Sequence, residues 1–167
     1  ASKASADMMI LGWHRTHKVP YIIIRPTNNY GIHQYPEKLI PKSIKYLSLS
    51  KKIPLHGDGS YVRNWLHVED TVAAIMHIVE HGERNRIYNV SGNYEASNKE
   101  VIEKVLKTYW GRSVELDKYV QFNFVRMGED IRYSLDDSAL RKLGWSNTKQ
   151  FKREAYRQSL EGGCIRE

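Results

Sequence analysis

An α/β domain is what the sequence predicts, on three observations. A short apolar run, Tyr21-Ile-Ile-Ile24, has the length and β-branched content of a buried strand. A segment of helical period over residues 1–17 precedes it, and a helix followed by a buried strand is what one crossover of a doubly wound sheet supplies. After the strand come two amides, a glycine and an aromatic-rich loop, Asn28-Asn-Tyr-Gly-Ile-His-Gln-Tyr35. In such folds the loop after a strand's carboxyl end carries polar groups into a crevice. The same residues also suit an ordinary strand-to-helix turn, because Asn and Gly tolerate unusual backbone angles.

The elements follow in order. In the first helix Ala4, Met8 and Leu11 fall near one face, and Lys3, in the first turn, reads either as a solvated lysine at a chain end or as a site residue. Val19-Pro20 turns the chain into the strand 21–25, and Pro36 stands where a new helix can begin. Leu39, Ile40, Ile44 and Leu47 then form a helical stripe to about residue 49, with Pro41 either in its first turn or kinking it. Ile53-Pro-Leu-His56 is a short strand, placed at an edge by Pro54, and Gly57-Asp-Gly59 a turn. The aromatic and charged stretch Tyr61 to Asp70 leads into a helix whose buried face is read as Val72, Ala73, Ile75, Met76 and Val79, with Gly82 as its stop.

Arg86-Ile-Tyr-Asn-Val90 is another strand. Ser97-Asn-Lys-Glu100 fits a capping box, so a helix starts there with Val101, Ile102, Val105, Leu106 and Tyr109 inward. Residues 111–124 read as loop plus strand, Arg126 to Tyr133 as a mixed-charge loop around a glycine, Ser138 to Leu143 as a short helix ended by Gly144-Trp145, and Phe151 to Leu160 as a last helix. Three residues carry two readings each. Arg63 either stacks on Trp65 or offers its planar fork to a phosphate. His67 reads as a packed or capping residue rather than a catalyst. Asn98 is either a neutral first-turn residue or a side chain aimed into the crevice.

Composition narrows the function classes. The 167 residues, 41% hydrophobic, suffice for one domain with a core. The formal charge, 26 − 19 = +7, suggests an anionic partner. Because the basic residues are spread along the chain rather than run together, a nucleotide or diphosphate is favoured over nucleic acid. A single cysteine, Cys164, excludes an intrachain disulfide and is compatible with a reducing compartment, hence a cytoplasmic location. No apolar run approaches the roughly 20 residues of a membrane span, so no membrane partner is expected. No histidine and cysteine cluster has metal-ligand spacing, so no metal is expected. Neither a G-x-S-x-G elbow nor a G-x-G-x-x-G fingerprint is present, so a dinucleotide would need groups from elsewhere. The chain starts mid-pattern, without an initiator methionine, as expected of a piece of something longer.

With Asn28-Asn-Tyr-Gly31 followed by Pro36-Glu-Lys-Leu-Ile-Pro41, the chain resembles the nucleotide-sugar 4,6-dehydratases of the extended short-chain dehydrogenase/reductase superfamily, nearest to those acting on dTDP-glucose. Ala1-Ser-Lys-Ala-Ser5 resembles the end of the family's Y-S-A-S-K-A-S segment. Gly57-Asp-Gly-Ser-Tyr-Val-Arg-Asn-Trp-Leu-His-Val-Glu-Asp70 is similar to its G-D-G-x-x-x-R-x-W-x-x-V-x-D segment, Tyr88-Asn-Val-Ser-Gly92 to its Y-N-I-G-G strand, and Leu143-Gly-Trp145 to its terminal L-G-W.

The resemblance implies the C-terminal half of an NAD-dependent lyase, inactive alone. Residues 1–34 would end the NAD-binding Rossmann-type domain, and 35–167 would form the substrate-binding region, with 65–90 returning to the Rossmann-type sheet. The N-terminal Rossmann half, with the Y-x-x-x-K tyrosine, would be missing. The family oxidises the sugar at C4, removes water across C5 and C6, and reduces C6. Lys3 would be its catalytic lysine, binding the nicotinamide ribose and lowering the tyrosine's pKa, with Pro26 and Asn29 also at the cofactor. Asn28 and Arg63 would meet the diphosphate. Lys38, Leu39, Pro54, Leu55 and His56 would line the nucleotide pocket, and Asn98 and Arg126 would contact the nucleotide end. Glu129 stands where the family often has a histidine, and a carboxylate there would repel the ligand unless it points away or pairs with Arg132. His56 replaces a common tyrosine, which leaves thymidine against uridine open. The complete protein is expected to be a homodimer. Rival readings are a UDP-sugar 4-epimerase, a UDP-glucuronate decarboxylase, and a non-catalytic nucleotide-binding module.

Overall fold

The computed structural model describes residues 1–123 and 127–151. Helices and strands alternate through them: α1 (Ser2–His17), β1 (Ile22–Pro26), β2 (Asn28–Tyr30), α2 (Leu39–Ser48), β3 (Ile53–His56), β4 (Val62–His67), α3 (Val68–His81), β5 (Arg86–Val90), β6 (Tyr94–Ser97), α4 (Asn98–Trp110), α5 (Leu116–Tyr119), β7 (Val120–Asn123), β8 (Arg132–Tyr133) and α6 (Ser138–Lys142). β1 pairs in parallel with β5, and β3 with β7. β4 is the hub, parallel to β2 and β8 and antiparallel to β6. Parallel partners require long crossovers, which the intervening helices provide, and the mixed α/β class predicted from sequence is the class observed.

Successive side chains of a strand point to opposite faces, and β4 uses this to join two cores. Trp65 packs with Tyr30, Ile40, Ile44, Ile53, Leu55 and the inward face of α4, whereas Leu66 packs with Ala74, Ile78, Tyr88, Val90, Leu140 and Trp145. Beside them lies Asn64, 3% exposed. Its Oδ1 accepts from the Thr27 hydroxyl at 2.8 Å and from the Gly92 N–H at 2.7 Å, and its Nδ2 donates to the Gly92 carbonyl at 2.8 Å. Gly92 can come this close only because it lacks a side chain, since a Cβ there would lie 1.9 Å from the Trp65 carbonyl oxygen. A second buried polar group, Asp70 at the start of α3, accepts from the backbone N–H and hydroxyl of Thr148 and from the Lys149 N–H, which ties residues 148–149 to that helix.

Local chemistry explains the element ends. Ser97 and Glu100 form the full capping box of α4. His67 caps α3 by accepting from the Glu69 N–H, with its ring edge against Tyr30. Pro41 stands in the first turn of α2, where its missing N–H would be unpaired anyway.

Several expectations are corrected. α1 fully buries none of its residues: Met8 is 60% exposed, Ala4 is exposed and Leu11 is only half-buried, so its apolar stripe is poorly covered by the described residues. In β1 only Ile23 is buried. α2 starts at Leu39 with Lys38 as its cap rather than near Pro36. β2 and β6 replace what reads as loop; both are short and polar, and exist because β4 offers them its backbone. α3 buries Asp70, Thr71, Ala74 and Ile78, and leaves Val72, Ile75, Met76 and Val79 exposed. The helix is apolar on two sides, and the side that packs carries the smaller residues. Gly82 does cap α3, but in an extended rather than left-handed conformation. The last helix, predicted for 151–160, lies outside the described residues beyond Phe151.

Replacing Asn64 with alanine removes the acceptor of the Thr27 hydroxyl and the shorter of two hydrogen bonds at each polar group of Gly92, leaving its N–H only Thr27 Oγ1 at 3.4 Å and its carbonyl only the Ser91 hydroxyl at 3.3 Å, and is expected to cost about 2–4 kcal/mol in chemical denaturation; a loss below about 0.5 kcal/mol would show that the junction contributes little. Burial holds the His67 pKa below the ordinary histidine range, against the opposing pull of the Glu69 and Asp70 charges. The unfolded imidazole protonates near pH 6.5 and the folded one only at lower pH, so the unfolded state takes up the proton first. Stability therefore falls as pH drops below about 6.5. In His67→Asn, melting temperature should depend less steeply on pH between about 7 and 5 than in wild type; an unchanged slope would exclude His67 as a source of it.

Candidate functional site

A cleft of about 530 Å³ is walled by side chains from β2, β3 and β4 and from the starts of α2 and α4. Asn28, Asn29, Lys38, Leu39, Pro54, Leu55, His56, Arg63, Asn98 and Glu129, all singled out in the sequence, line this one space. Lys3 and Pro26 lie in a second cleft, of about 780 Å³, between α1 and β1, with Met8 and Ile24 on its wall. Arg126 lies outside the described residues.

The strand geometry separates the two adjacent amides. Asn29 is committed to its own chain: Nδ2 donates to the Thr27 carbonyl at 3.0 Å, Oδ1 accepts from the Thr71 hydroxyl, and its carbonyl accepts from Gln34 Nε2 at 2.7 Å. Asn28, paired in register with Trp65, points its amide to no described residue. The side chains of Lys38 and Asn98 likewise form no hydrogen bond or ion pair with described residues. Lys38 is the N-cap residue of α2, a helix end that favours an anion. Asn98 is fixed at the start of α4 by its N–H to the Tyr61 carbonyl at 3.1 Å.

Arg63 is more tightly held. Its NH1 group donates to the carbonyls of Val62 (2.9 Å) and Asp130 (2.7 Å), and its NH2 group to Glu129 Oε1 (3.0 Å). Its guanidinium lies 5.9 Å from the Tyr61 ring, so the aromatic neighbour is Tyr61 rather than Trp65. The expected partner of Glu129 is also corrected. Arg132, which β8 sets opposite Val62, is taken by Glu95 through two hydrogen bonds, and Arg63 pairs with Glu129 instead.

Sequence reasoning missed Gln34, Glu37, Lys42 and Trp65, which also line the cleft. Two of these had a signal. Lys42 is four residues after Lys38, at a helical spacing that puts it on the same side, and Trp65 is two residues after Arg63, at a strand spacing that does the same. The Trp65 indole N–H is buried without a hydrogen-bond partner among the described residues, and such a donor is costly to bury. Three cations, Lys38, Lys42 and Arg63, face two carboxylates, Glu37 and Glu129.

The second cleft is simpler. Asp7 of α1 pairs with Arg25 of β1 at 2.6 Å, while the Lys3 ammonium, one turn earlier on α1, has no partner among the described residues. Among the described residues no cluster of His, Cys, Asp or Glu is arranged to hold a metal ion, and no helix is long and apolar enough to cross a membrane.

Comparison with known proteins identifies the family. Residues 1–91 match the model of the NAD dependent epimerase/dehydratase family. The chain is 36% identical to a dTDP-glucose 4,6-dehydratase of Haemophilus influenzae, over 96% of this chain and 50% of that one. It is 39% identical to the low-salt glycan biosynthesis protein Agl12 of Haloferax volcanii, over 87% and 46%. The crystal structure of a Bacillus anthracis dTDP-glucose 4,6-dehydratase in complex with NAD superposes with a TM-score of 0.85 at 36% identity, covering 96% of this chain and 51% of that one. The chain thus spans about half the length of each of these three proteins. Its parallel strand pairs, its cleft and the matched segment together make it a member of the NAD dependent epimerase/dehydratase family.

Proposed function

We propose that this chain is the nucleotide-sugar-binding, carboxyl-terminal half of an NAD-dependent dTDP-glucose 4,6-dehydratase. The observation that carries this reading is convergence. Side chains scattered from Asn28 to Glu129 line one cleft, with apolar walls at Leu39, Pro54 and Leu55 and uncommitted polar groups at Asn28, Lys38 and Asn98. A flat base needs the first and a diphosphate needs the second.

In this reading Pro54 and Leu55 hold the base and Lys38 and Arg63 hold the diphosphate. Asn28 and Asn98 donate to the phosphates or the ribose. Binding energy collected there, away from the reacting sugar carbons, orients the sugar for reaction. What supports a nicotinamide nucleotide in the second cleft is its chemistry: an unpaired ammonium suited to ribose hydroxyls, beside the apolar surface of Pro26, Ile24 and Met8 suited to a flat ring. A bound NAD supplies hydride transfer. The contribution of Lys3 is electrostatic, since a cation close to a phenol favours its ionised form and so a base. Asn29, by contrast, reads as a structural clamp that holds β2 to α3.

The test is the full-length protein with dTDP-glucose and with UDP-glucose. Mass spectrometry should find a sugar nucleotide that has lost one water, and Lys3→Ala should abolish it. A product of unchanged mass with inverted C4 would instead support a 4-epimerase. Arg63→Ala should weaken dTDP-glucose binding by more than about 1.5 kcal/mol, the scale of a charged hydrogen bond. Calorimetry showing no loss would remove Arg63 from the site.

A further inference from the structure

Arg63 and Glu129 both line the cleft, yet they are turned to each other, with side chains only 12% and 18% exposed. The pair is neutral where the ligand would carry its charge. Its carboxylate is also half-used: Oε1 accepts from Arg63, and Oε2 is buried with no hydrogen-bond partner among the described residues. A buried carboxylate oxygen without a donor is disfavoured, so the pair holds Arg63 without being fully satisfied itself.

We infer that Glu129 is an internal competitor for Arg63, and that a nucleoside diphosphate binds only as this carboxylate leaves the guanidinium, so that Glu129 sets the affinity of the cleft for diphosphate ligands. The inference rests on reading the cleft as a nucleotide-sugar site. Two features make the exchange workable. Arg63 stays in place without Glu129, because β4 is paired on both sides at this residue, with Ala96 of β6 and Tyr133 of β8, and because its NH1 group also donates to the Val62 carbonyl of its own strand. Glu129 is lightly held. It follows Gly128, whose φ of +73° is left-handed and around which nothing lies within 4 Å of a Cβ position, and its neighbours Met127 and Ile131 are 96% and 78% exposed. The fixed partner is the cation and the mobile one the anion. Glu37, the other carboxylate of the cleft, forms no hydrogen bond or ion pair with Arg63.

Calorimetric titration of the full-length protein with dTDP and with uncharged thymidine tests this. Glu129→Gln keeps the size of the side chain and an oxygen for Arg63 but removes the charge. It should bind dTDP about tenfold more tightly than wild type, the effect of one charge-assisted hydrogen bond, and thymidine equally well. Glu129→Asp, which keeps the charge, should show no such gain, and circular dichroism confirms that each variant is folded. Equal or weaker dTDP binding by Glu129→Gln overturns the inference while leaving the nucleotide reading standing, and weaker binding would mean that Oε2 accepts from the ligand. Failure of both wild type and Glu129→Gln to bind dTDP overturns the nucleotide reading and this inference with it.

Discussion

The amide of Asn64 is the constraint on which the rest depends. It joins the chain just after β1, the hub strand β4, and the chain just after β5, by serving as both donor and acceptor where no backbone ladder reaches. A buried network of this kind specifies one arrangement, because any slip leaves several polar groups unpaired at once. The residues on either side inherit that placement. Trp65 and Leu66 enter the two cores, and Arg63 is set at the cleft wall with its neighbours on β6 and β8 fixed in register. Cleft and cores are therefore positioned by the same strand.

Much of this was legible in the sequence where local chemistry decides. The Ser97–Glu100 capping box, the first-turn Pro41, the edge strand with Pro54 and the capping role of His67 need only near neighbours. β2 and β6 were illegible for the opposite reason. Asn-Asn-Tyr and Tyr-Glu-Ala-Ser carry weak strand propensity, and become strands only because β4 lies alongside. α3 defeats periodicity because two of its faces are apolar, so spacing alone cannot choose between them. The site shows the same division. Motif and order picked out most of the residues that line the cleft but not Gln34, Glu37, Lys42 or Trp65, and Glu129 could be matched to Arg63 rather than Arg132 only once β8 was placed.

The adjacent amides Asn28 and Asn29 show how a strand assigns work. Both line the cleft, but the Asn28 amide is bonded to no described residue while that of Asn29 is bound to Thr27 and Thr71. The cleft's electrostatics are similarly divided: Lys38 and Lys42 carry charge that no described carboxylate neutralises, whereas the charge of Arg63 is already matched. The net charge of the whole chain says nothing of this balance, which is set by individual partners.

Asp70 has a consequence for how this chain tolerates cutting and joining. Its buried carboxylate takes its donors from Thr148 and Lys149, more than seventy residues further along. A chimera that exchanges the carboxyl-terminal segment between relatives, with a crossover anywhere from α3 to residue 147, must therefore bring two backbone N–H groups and a hydroxyl back to the same place. Breaking such an arrangement on one side leaves an uncompensated buried charge. Permissive crossovers lie either before Asp70, so that anion and donors travel together, or beyond Lys149, so that both remain.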